Sequence, residues 1–175
     1  MIETPRLLLL PCTLPLFEAA RRSDEALATL LEVSCAPEWL GFPDARDALV
    51  PGHEHLKAHP EVLPWWTYLF VHRPHRRLIG VGGYKGMPDA AGRVEIGYSL
   101  APSYRGQGLA TEAARGLVSF AFRHPAVRRV DAHTRPLRNA SGRVLEKTGL
   151  RKTGAVVDPD DGEVWHWTLE RPPGS

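Results

Sequence analysis

The chain has 175 residues, 43% of them hydrophobic and 24% charged, and its 22 basic and 20 acidic residues leave a formal net charge of +2. This composition argues against intrinsic disorder, and no apolar run approaches the roughly 20 residues of a membrane-spanning helix. The two cysteines form no Cys-x-x-Cys pair and the N-terminus has no signal-peptide pattern. We therefore expect a single cytoplasmic domain over residues 1–175, with a frayed tail at 171–175 and no membrane segment.

The hydrophobic pattern predicts alternating strands and helices that form one mixed α/β sheet. The expected strands cover residues 7–10, 65–72, 78–84, 93–100, 127–134, 150–157 and 163–170. Two helices within residues 14–33 are expected to be separated by an N-cap at Ser23, and a weaker helix at 45–59 to be broken near Pro51. The strongest helical pattern covers residues 104–124, and a further helix is predicted at 139–148.

Charge is distributed unevenly along the chain. Residues 103–152 hold 11 basic and three acidic residues, a net of +8, whereas the remainder holds 11 basic and 17 acidic residues, a net of −6. The small total charge therefore conceals a segment suited to an anionic ligand.

A glycine-containing turn at Gly106 and Gly108 connects a predicted strand to the longest predicted helix. Glycines allow backbone N–H groups to approach a ligand, and a helix N-terminus favours negative charge, so the pattern suits a phosphate group. The chain contains no P-loop motif, and the glycines at 80–83 open no helix. The alternative is an ordinary turn at the start of a helix, without a ligand.

The full pattern resembles the GNAT N-acetyltransferase family. The acetyl-CoA pyrophosphate motif of that family is similar to the run Arg105-Gly106-Gln107-Gly108-Leu109-Ala110, followed by Thr111. The next family segment resembles the run Asn139-Ala140-Ser141-Gly142-Arg143-Val144-Leu145-Glu146-Lys147-Thr148-Gly149-Leu150. The opening run Glu3-Thr4-Pro5-Arg6-Leu7-Leu8-Leu9 is similar to the start of the RimJ/RimL-like branch, which acetylates ribosomal-protein N-termini among other amines.

The resemblance implies a GNAT fold, in which a central, mostly antiparallel, splayed sheet of seven strands is flanked by helices. It also implies acetyl-CoA as cosubstrate, with the pantetheine arm paired to free backbone groups of Tyr98, Ser99 and Leu100 in the splay. The pyrophosphate would bind backbone donors of residues 105–110, helped by Thr111. Further contacts are implied for Asn139 and Ser141, and for the CoA 3′-phosphate near Lys147, Arg151 and Lys152.

Two features of the second segment depart from the family. Only Ala140 separates Asn139 from Ser141, whereas the family has two intervening residues, so Asn139 matches the pattern less well than Ser141. Leu150 also stands where the family has a phenylalanine.

Direct acetyl transfer requires a neutral amine and therefore a group that accepts a proton. Glu95 is the first candidate because it lies on the strand that leads to the splay and shares a strand face with Gly97 and Ser99. The alternative is a solvent-facing strand glutamate. The resemblance makes Ser141 the candidate acid for the leaving thiolate, although it could also cap the helix, and His166 is a second candidate acid.

The sequence leaves the identity of the amine acceptor open. A ribosomal-type protein N-terminus is favoured, and a small amine or antibiotic fits the same architecture. A non-catalytic acyl-CoA-binding module and nucleic-acid binding by the basic segment are further alternatives, the second disfavoured. His53, His55 and His59 form no zinc motif, so no metal is expected, and the chain could be a monomer or a homodimer.

Overall fold

The computed structural model describes residues 1–41, 46–47, 49–159 and 161–173. In this part of the chain the α-helices are α1 (Leu14–Arg22), α2 (Asp24–Leu31), α3 (Leu49–Ala58), α4 (Leu109–Phe122) and α5 (Ala140–Thr148). Short 3₁₀ helices at Pro60–Trp65 and Pro102–Tyr104 precede β4 and α4 respectively.

The strands lie in one sheet with the order β1-β2-β4-β5-β6-β7-β9-β8, and β3 pairs with β5 outside this path. Neighbouring strands are antiparallel except for the pairs β6–β7 and β3–β5. The strands are β1 (Ile2–Glu3), β2 (Leu7–Pro11), β3 (Ser34–Cys35), β4 (Thr67–His72), β5 (Arg77–Tyr84), β6 (Arg93–Leu100), β7 (Arg129–Thr134), β8 (Arg151–Asp158) and β9 (Gly162–Glu170).

The mixed α/β class and the seven predicted strands are confirmed. The described residues contain two further strands, β1 and β3, each only two residues long. A pair of residues is too short to show the alternation on which a strand prediction depends, so neither strand could be predicted.

Helix boundaries follow local chemistry. Ser23 is confirmed as the N-cap of α2, because its side chain accepts a hydrogen bond from the Ala26 backbone N–H. The expected break at Pro51 is wrong, because Pro51 lies in the first turn of α3, where its missing N–H costs no helical hydrogen bond. The start of that predicted helix, at 45 and 48, lies outside the described residues.

The sheet splays between β6 and β7. These strands pair in parallel only from Arg93 to Glu95 on β6, opposite residues 129–131 of β7. The next strand along, β9, pairs with β7 through Thr134, so the second half of β6 stands away from this half of the sheet. The predicted splayed arrangement is confirmed, and the gap opens directly after Glu95.

Helix α4 packs its apolar side against β6, with Leu109, Ala113, Leu117 and Ala121 all buried. The frayed tail predicted from residue 171 is wrong at its first residue. The backbone N–H of Arg171 donates to the Arg128 carbonyl, and its guanidinium donates to carbonyls at 124 and 127.

Candidate active site

A cavity of about 320 Å³ lies between the splayed half of β6 and the N-terminal ends of α4 and α5. Its lining residues come from the end of β6, the turn that follows it, the start of α4, and α5: Tyr98, Ser99, Leu100, Tyr104, Arg105, Gly106, Gly108, Leu109, Ala110, Thr111, Ala140, Ser141, Arg143, Val144 and Lys147. The cavity thus unites most of the predicted cofactor-binding residues. Gln107 and Asn139, which were predicted with them, are not part of its lining.

The wall formed by β6 presents backbone polar groups to the gap. Lys85 donates its backbone N–H to the Glu95 carbonyl, and Ala101 donates to the Ile79 carbonyl, so the odd-numbered residues of β6 direct their backbone groups toward β5. Because backbone direction alternates along a strand, the backbone groups of Tyr98 and Leu100 face the splay. Those of Ser99 face β5, which corrects the expectation that all three residues offer free backbone groups.

Arg105 already occupies one of these groups. Its Nε donates to the Leu100 carbonyl at 3.0 Å, and its Nη2 donates to the Gly41 carbonyl at 2.8 Å. The guanidinium therefore ties the turn to the end of β6. The N–H and C=O of Tyr98 and the N–H of Leu100 remain as the backbone groups available to an amide-containing ligand.

The turn before α4 depends on two glycines. Gly106 and Gly108 have φ values of 74° and 76°, a left-handed conformation that other residues adopt only with strain. A Cβ atom added at Gly106 would meet no atom within 4 Å, so the backbone there is open to a ligand. Gly108 is the N-cap of α4 and provides no capping side chain, and the first N–H groups of the helix point into the cavity region.

The start of α4 is also anchored from outside the cavity. The Glu112 carboxylate accepts hydrogen bonds from Thr4 Oγ1 and the Arg6 backbone N–H, both at 2.6 Å, and from Arg6 Nε at 2.7 Å. Arg6 Nη1 also donates to the Gln107 carbonyl at 3.0 Å, which explains why Gln107 faces away from the cavity. Partial burial raises the pKa of Glu112, but these hydrogen bonds outweigh it and place the pKa below its usual value.

Helix α5 contributes the hydroxyl of Ser141, which lies beside the hydroxyl of Tyr98 on β6. Asn139 is the N-cap of the helix and accepts a hydrogen bond from the Gly142 N–H at 2.9 Å, so the alternative in which Ser141 caps the helix is wrong. Ser141 instead faces the cavity, and the Tyr98 hydroxyl lies 3.3 Å from its Oγ and 3.2 Å from its carbonyl oxygen. Burial raises the pKa of Tyr98 to about 12, against a smaller opposing effect of its hydrogen bond to Ser141, so the phenol stays protonated at neutral pH.

Four lining residues were not predicted: Tyr104, Ala140, Arg143 and Val144. Helical spacing from Ser141 places Val144 on the same face of α5, which is a signal that the sequence did contain. Arg143 and Lys147 lie one helical turn apart on α5 and place two positive charges at the edge of the cavity. The expected contact of Lys147 with the CoA 3′-phosphate stays a prediction. Arg151 is not part of the lining, and Lys152 lies with its Nζ 3.3 Å from the centre of the Trp165 ring.

On the face of β6 opposite to Tyr98, Glu95 lies between Lys85 and His133. Its Oε1 is 2.5 Å from Lys85 Nζ and 2.9 Å from His133 Nδ1, and its side chain is 24% exposed. Burial raises the pKa of Glu95, but the hydrogen bonds and charges of His133 and Lys85 outweigh it, so the pKa lies below its usual value. The solvent-facing alternative for Glu95 is therefore wrong, because the carboxylate belongs to an ion-pair network.

His166 completes this network rather than the cavity. Its ring stacks on His133 with the centroids 5.0 Å apart, and its Nε2 lies 3.4 Å from Asp131 Oδ2. His166 thus lies with the Glu95 network and is not part of the lining of the cavity that contains Ser141. Neither Lys85 nor His133 was predicted, because both meet Glu95 across strands.

The described residues contain neither a cluster of metal-binding side chains nor a membrane-spanning helix. No group of three or more His, Cys, Asp or Glu side chains there could hold a metal ion. His55, from the histidine cluster in the sequence, instead stacks on Trp66 with the ring centroids 4.4 Å apart. No described helix combines the length and apolarity needed to cross a membrane.

Comparison with known proteins shows the family of this chain. Residues 16–151 match the family described as acetyltransferase (GNAT) domain. The chain belongs to this family. As a GNAT acetyltransferase it is an acetyl-CoA-dependent N-acetyltransferase, and the alternative of a non-catalytic binding module is set aside.

Individual relatives agree with this assignment. Over 167 residues the chain is 28% identical to a protein named uncharacterized N-acetyltransferase YjdG from Bacillus subtilis (strain 168), covering 95% of this chain and 96% of that protein. RimL, a ribosomal L7/L12 α-N-protein acetyltransferase solved with coenzyme A, superposes with a TM-score of 0.66 and 18% identity over 95% of each chain. The aminoglycoside acetyltransferase AAC(6')-Ib, also solved with coenzyme A, has a TM-score of 0.63 and 22% identity over 95% of this chain and 94% of its own. These two structures share the GNAT fold.

The residues of the cavity fit the cosubstrate of the GNAT family. Free backbone groups of β6 suit the amide-rich pantetheine arm, and the open turn and unpaired helix N–H groups suit a pyrophosphate. Arg143 and Lys147 add positive charge at the rim.

Proposed function

We propose that this enzyme acetylates the α-amine of a protein N-terminus, as expected of the RimJ/RimL-like branch, with Glu95 drawing off the proton and Ser141 protonating the leaving thiolate. The observation that carries this proposal is the environment of Glu95. Its carboxylate is paired with both Lys85 and His133, which lowers its pKa and its affinity for a proton.

A weak base favours an acceptor that loses its proton easily. At pH 7 deprotonation costs about 1.4 kcal/mol for an α-amine with a pKa near 8, but about 4.6 kcal/mol for a lysine with a pKa near 10.4. The difference of about 3 kcal/mol corresponds to more than a hundredfold in the neutral fraction. The Glu95 network therefore supports an α-amine acceptor.

The proposed reaction is a direct transfer. The amine nitrogen attacks the thioester carbon, a C–N bond forms, and the C–S bond breaks. The nitrogen loses one proton toward the Glu95 network, and the departing CoA thiolate gains one from Ser141. The Tyr98 hydroxyl, protonated and within 3.3 Å of Ser141 Oγ, supports Ser141 as a donor.

The cosubstrate is proposed to lie along the cavity in one orientation. Backbone groups of Tyr98 and Leu100 would bind the pantetheine arm, backbone donors of residues 105–110 together with Thr111 the pyrophosphate, and Lys147 with Arg143 the 3′-phosphate. Asn139 acts on this site indirectly, since its side chain caps the helix that carries Ser141.

Fold similarity does not choose the acceptor, because the similar structures include both an α-N-protein acetyltransferase and an aminoglycoside acetyltransferase. The branch assignment rests on the N-terminal run, in which Thr4 and Arg6 hold Glu112. A cytoplasmic location is proposed because Cys12 and Cys35 are free thiols.

Two matched peptides test the acceptor class. One has a free α-amine and an acetylated lysine, and the other has an acetylated α-amine and a free lysine; spermidine and an aminoglycoside complete the panel. With acetyl-CoA at about pH 7, we expect kcat/KM to be at least about a hundredfold higher for the free α-amine than for the free lysine. Preference for the lysine peptide, the polyamine or the aminoglycoside would contradict the proposal.

A further inference from the structure

His133 occupies a distinctive position beside Glu95. The parallel pairing of β6 and β7 ends at the pair Glu95–Asp131, and His133 is two residues further along β7. Because side-chain direction repeats every second residue, His133 lies on the same face as Asp131 and Glu95, at the first such position inside the splay. Its side chain is 23% exposed, so it is accessible without being free in solvent.

The hydrogen bond to Glu95 identifies the state of the imidazole ring. An ionised carboxylate only accepts hydrogen bonds, so the 2.9 Å contact between His133 Nδ1 and Glu95 Oε1 assigns the proton to Nδ1. In the neutral ring Nε2 then carries the lone pair. No hydrogen-bond partner of Nε2 lies within the described part of the chain, so this nitrogen is available to a substrate.

We propose that His133 is a catalytic residue that takes the proton of the acceptor amine on Nε2, while Glu95 acts through it by holding Nδ1–H and stabilising the resulting imidazolium. This inference rests on the proposed transfer to an amine and specifies the atom that receives the proton. Glu95 is thus a positioning residue that draws the proton toward the pair without binding it.

His133 is better suited to this task than Glu95 alone. The Nε2 lone pair of His133 can accept a proton directly, whereas the Glu95 carboxylate already accepts hydrogen bonds from Lys85 and His133. Lys85 and His133 move the pKa of Glu95 further below neutrality. An imidazole that is backed by a carboxylate gains stability when it becomes charged, since the two opposite charges lie in contact.

The neighbouring histidine does not offer the same chemistry. His166 has both ring nitrogens engaged, with Nδ1 3.1 Å from Thr153 Oγ1 and Nε2 3.4 Å from Asp131 Oδ2. Its ring stacks against His133 and fixes the plane of that imidazole.

Charged groups around His133 come from three strands and one loop. Glu95 lies on β6, Asp131 and its partner Arg129 on β7, His166 on β9, and Lys85 directly after β5. Lys85 and Arg129 are each paired with a carboxylate. Protons balance in the cycle, because the proton taken by Nε2 leaves to water after the acetylated amine departs, and Ser141 regains from water the proton that it gave to the thiolate.

The kinetic test uses His133→Gln, which keeps a polar side chain but cannot accept the proton. We expect kcat/KM for the free-α-amine peptide to fall by about 10²–10³-fold, while the dissociation constant for acetyl-CoA stays within about twofold. The matched control is His59→Gln, since His59 pairs with Glu61 at 3.4 Å on an exposed surface, and its rates should equal those of wild type. If wild type turns over and His133→Gln turns over equally fast, the inference is overturned. The proposed class of amine acceptor is not affected by that result.

Chemical rescue separates proton transfer from structural damage. In His133→Ala, added imidazole should restore part of kcat, because the small base can occupy the vacated space and accept the proton. Restoration by methylated imidazoles should follow their basicity. A variant that is inactive and gains nothing from any imidazole would contradict a catalytic role for His133.

A measurement without any acceptor keeps the inference testable even if the α-amine proposal fails. Nitrogen NMR of the imidazole reports which ring nitrogen is protonated. The inference predicts that at about pH 8 the proton of His133 is on Nδ1, which donates to Glu95, and that Nε2 carries the lone pair. A proton on Nε2 at about pH 8 would overturn it, whereas failure of the peptide panel alone would refute only the α-amine proposal.

Discussion

The two faces of strand β6 carry different chemical groups on neighbouring residues. Tyr98 and Leu100 face the cavity and the two helices α4 and α5 beside it. The cavity is lined by backbone groups, by the open turn before α4 and by the hydroxyls of Tyr98 and Ser141. Glu95 faces the other way and belongs to a network of paired charges with Lys85 and His133. Alternation along one strand thus separates the residues proposed to bind the cosubstrate from those proposed to handle the proton.

The net charge of a sequence segment differs from the charge that surrounds the cavity in the folded structure. The segment 103–152 holds 11 basic residues, yet only Arg105, Arg143 and Lys147 line the cavity. Arg129, from the same segment, pairs with Asp131 on the proton-handling face. The segmental charge correctly indicated an anionic ligand and overstated how many cations face it.

The largest effect outside the Glu95 network is expected from Ser141→Ala. Removing the hydroxyl that faces the cavity should lower kcat by about 10²-fold, at the low end for acid catalysis, because a thiolate is already a good leaving group. Acetyl-CoA affinity should change little, since binding is shared among many backbone groups. Steady-state kinetics and a binding titration measure both quantities.

Ser119→Ala is the matched control for Ser141→Ala, because Ser119 is an exposed hydroxyl on α4 outside the cavity. Its kcat should equal that of wild type. Equal kcat values for Ser141→Ala and wild type would assign thiolate protonation to another donor and weaken the proposed role of the cavity face.

A smaller effect is expected from Arg6→Ala, which tests whether the anchor of α4 supports the cavity face. Losing the charged hydrogen bonds to Glu112 and the contact with Gln107 should lower the free energy of unfolding by about 1.5 kcal/mol, with weaker acetyl-CoA binding. The value is at the low end because the Arg6 side chain is 43% exposed. Urea denaturation at about pH 7 measures it.

The same variant has a defined pH dependence. The folded-state pKa of Glu112 lies below its usual value, so its contribution to stability is present at neutral pH and is lost as the pH falls through the folded pKa. The stability difference between wild type and Arg6→Ala should therefore shrink below about pH 5. Arg73→Ala is the control, since Arg73 binds the Thr4 carbonyl at 3.2 Å without touching Glu112, and a difference as large and as pH-dependent there would contradict the assignment.

The sequence predicted the cavity face better than the proton-handling face. Residues 105–111 are contiguous and carry a motif, so the turn and the helix start could be placed directly, and the strand of Glu95 was predicted with its observed bounds. Lys85 and His133 could not be found because their contact with Glu95 depends on strand register. The sequence also left the parallel pairing of β6 with β7 unspecified, and that pairing brings His133 to Glu95.

The separation of the two faces is tested most directly by measuring kcat and the acetyl-CoA dissociation constant together in Glu95→Gln and Lys147→Ala. We predict that Glu95→Gln lowers kcat by about 10²–10³-fold and changes the dissociation constant by less than about twofold. Lys147→Ala should weaken acetyl-CoA binding by about tenfold, the effect of about 1.4 kcal/mol, with kcat unchanged. A Glu95→Gln variant that loses acetyl-CoA affinity, or a Lys147→Ala variant that loses turnover at saturating acetyl-CoA, would contradict this division of labour.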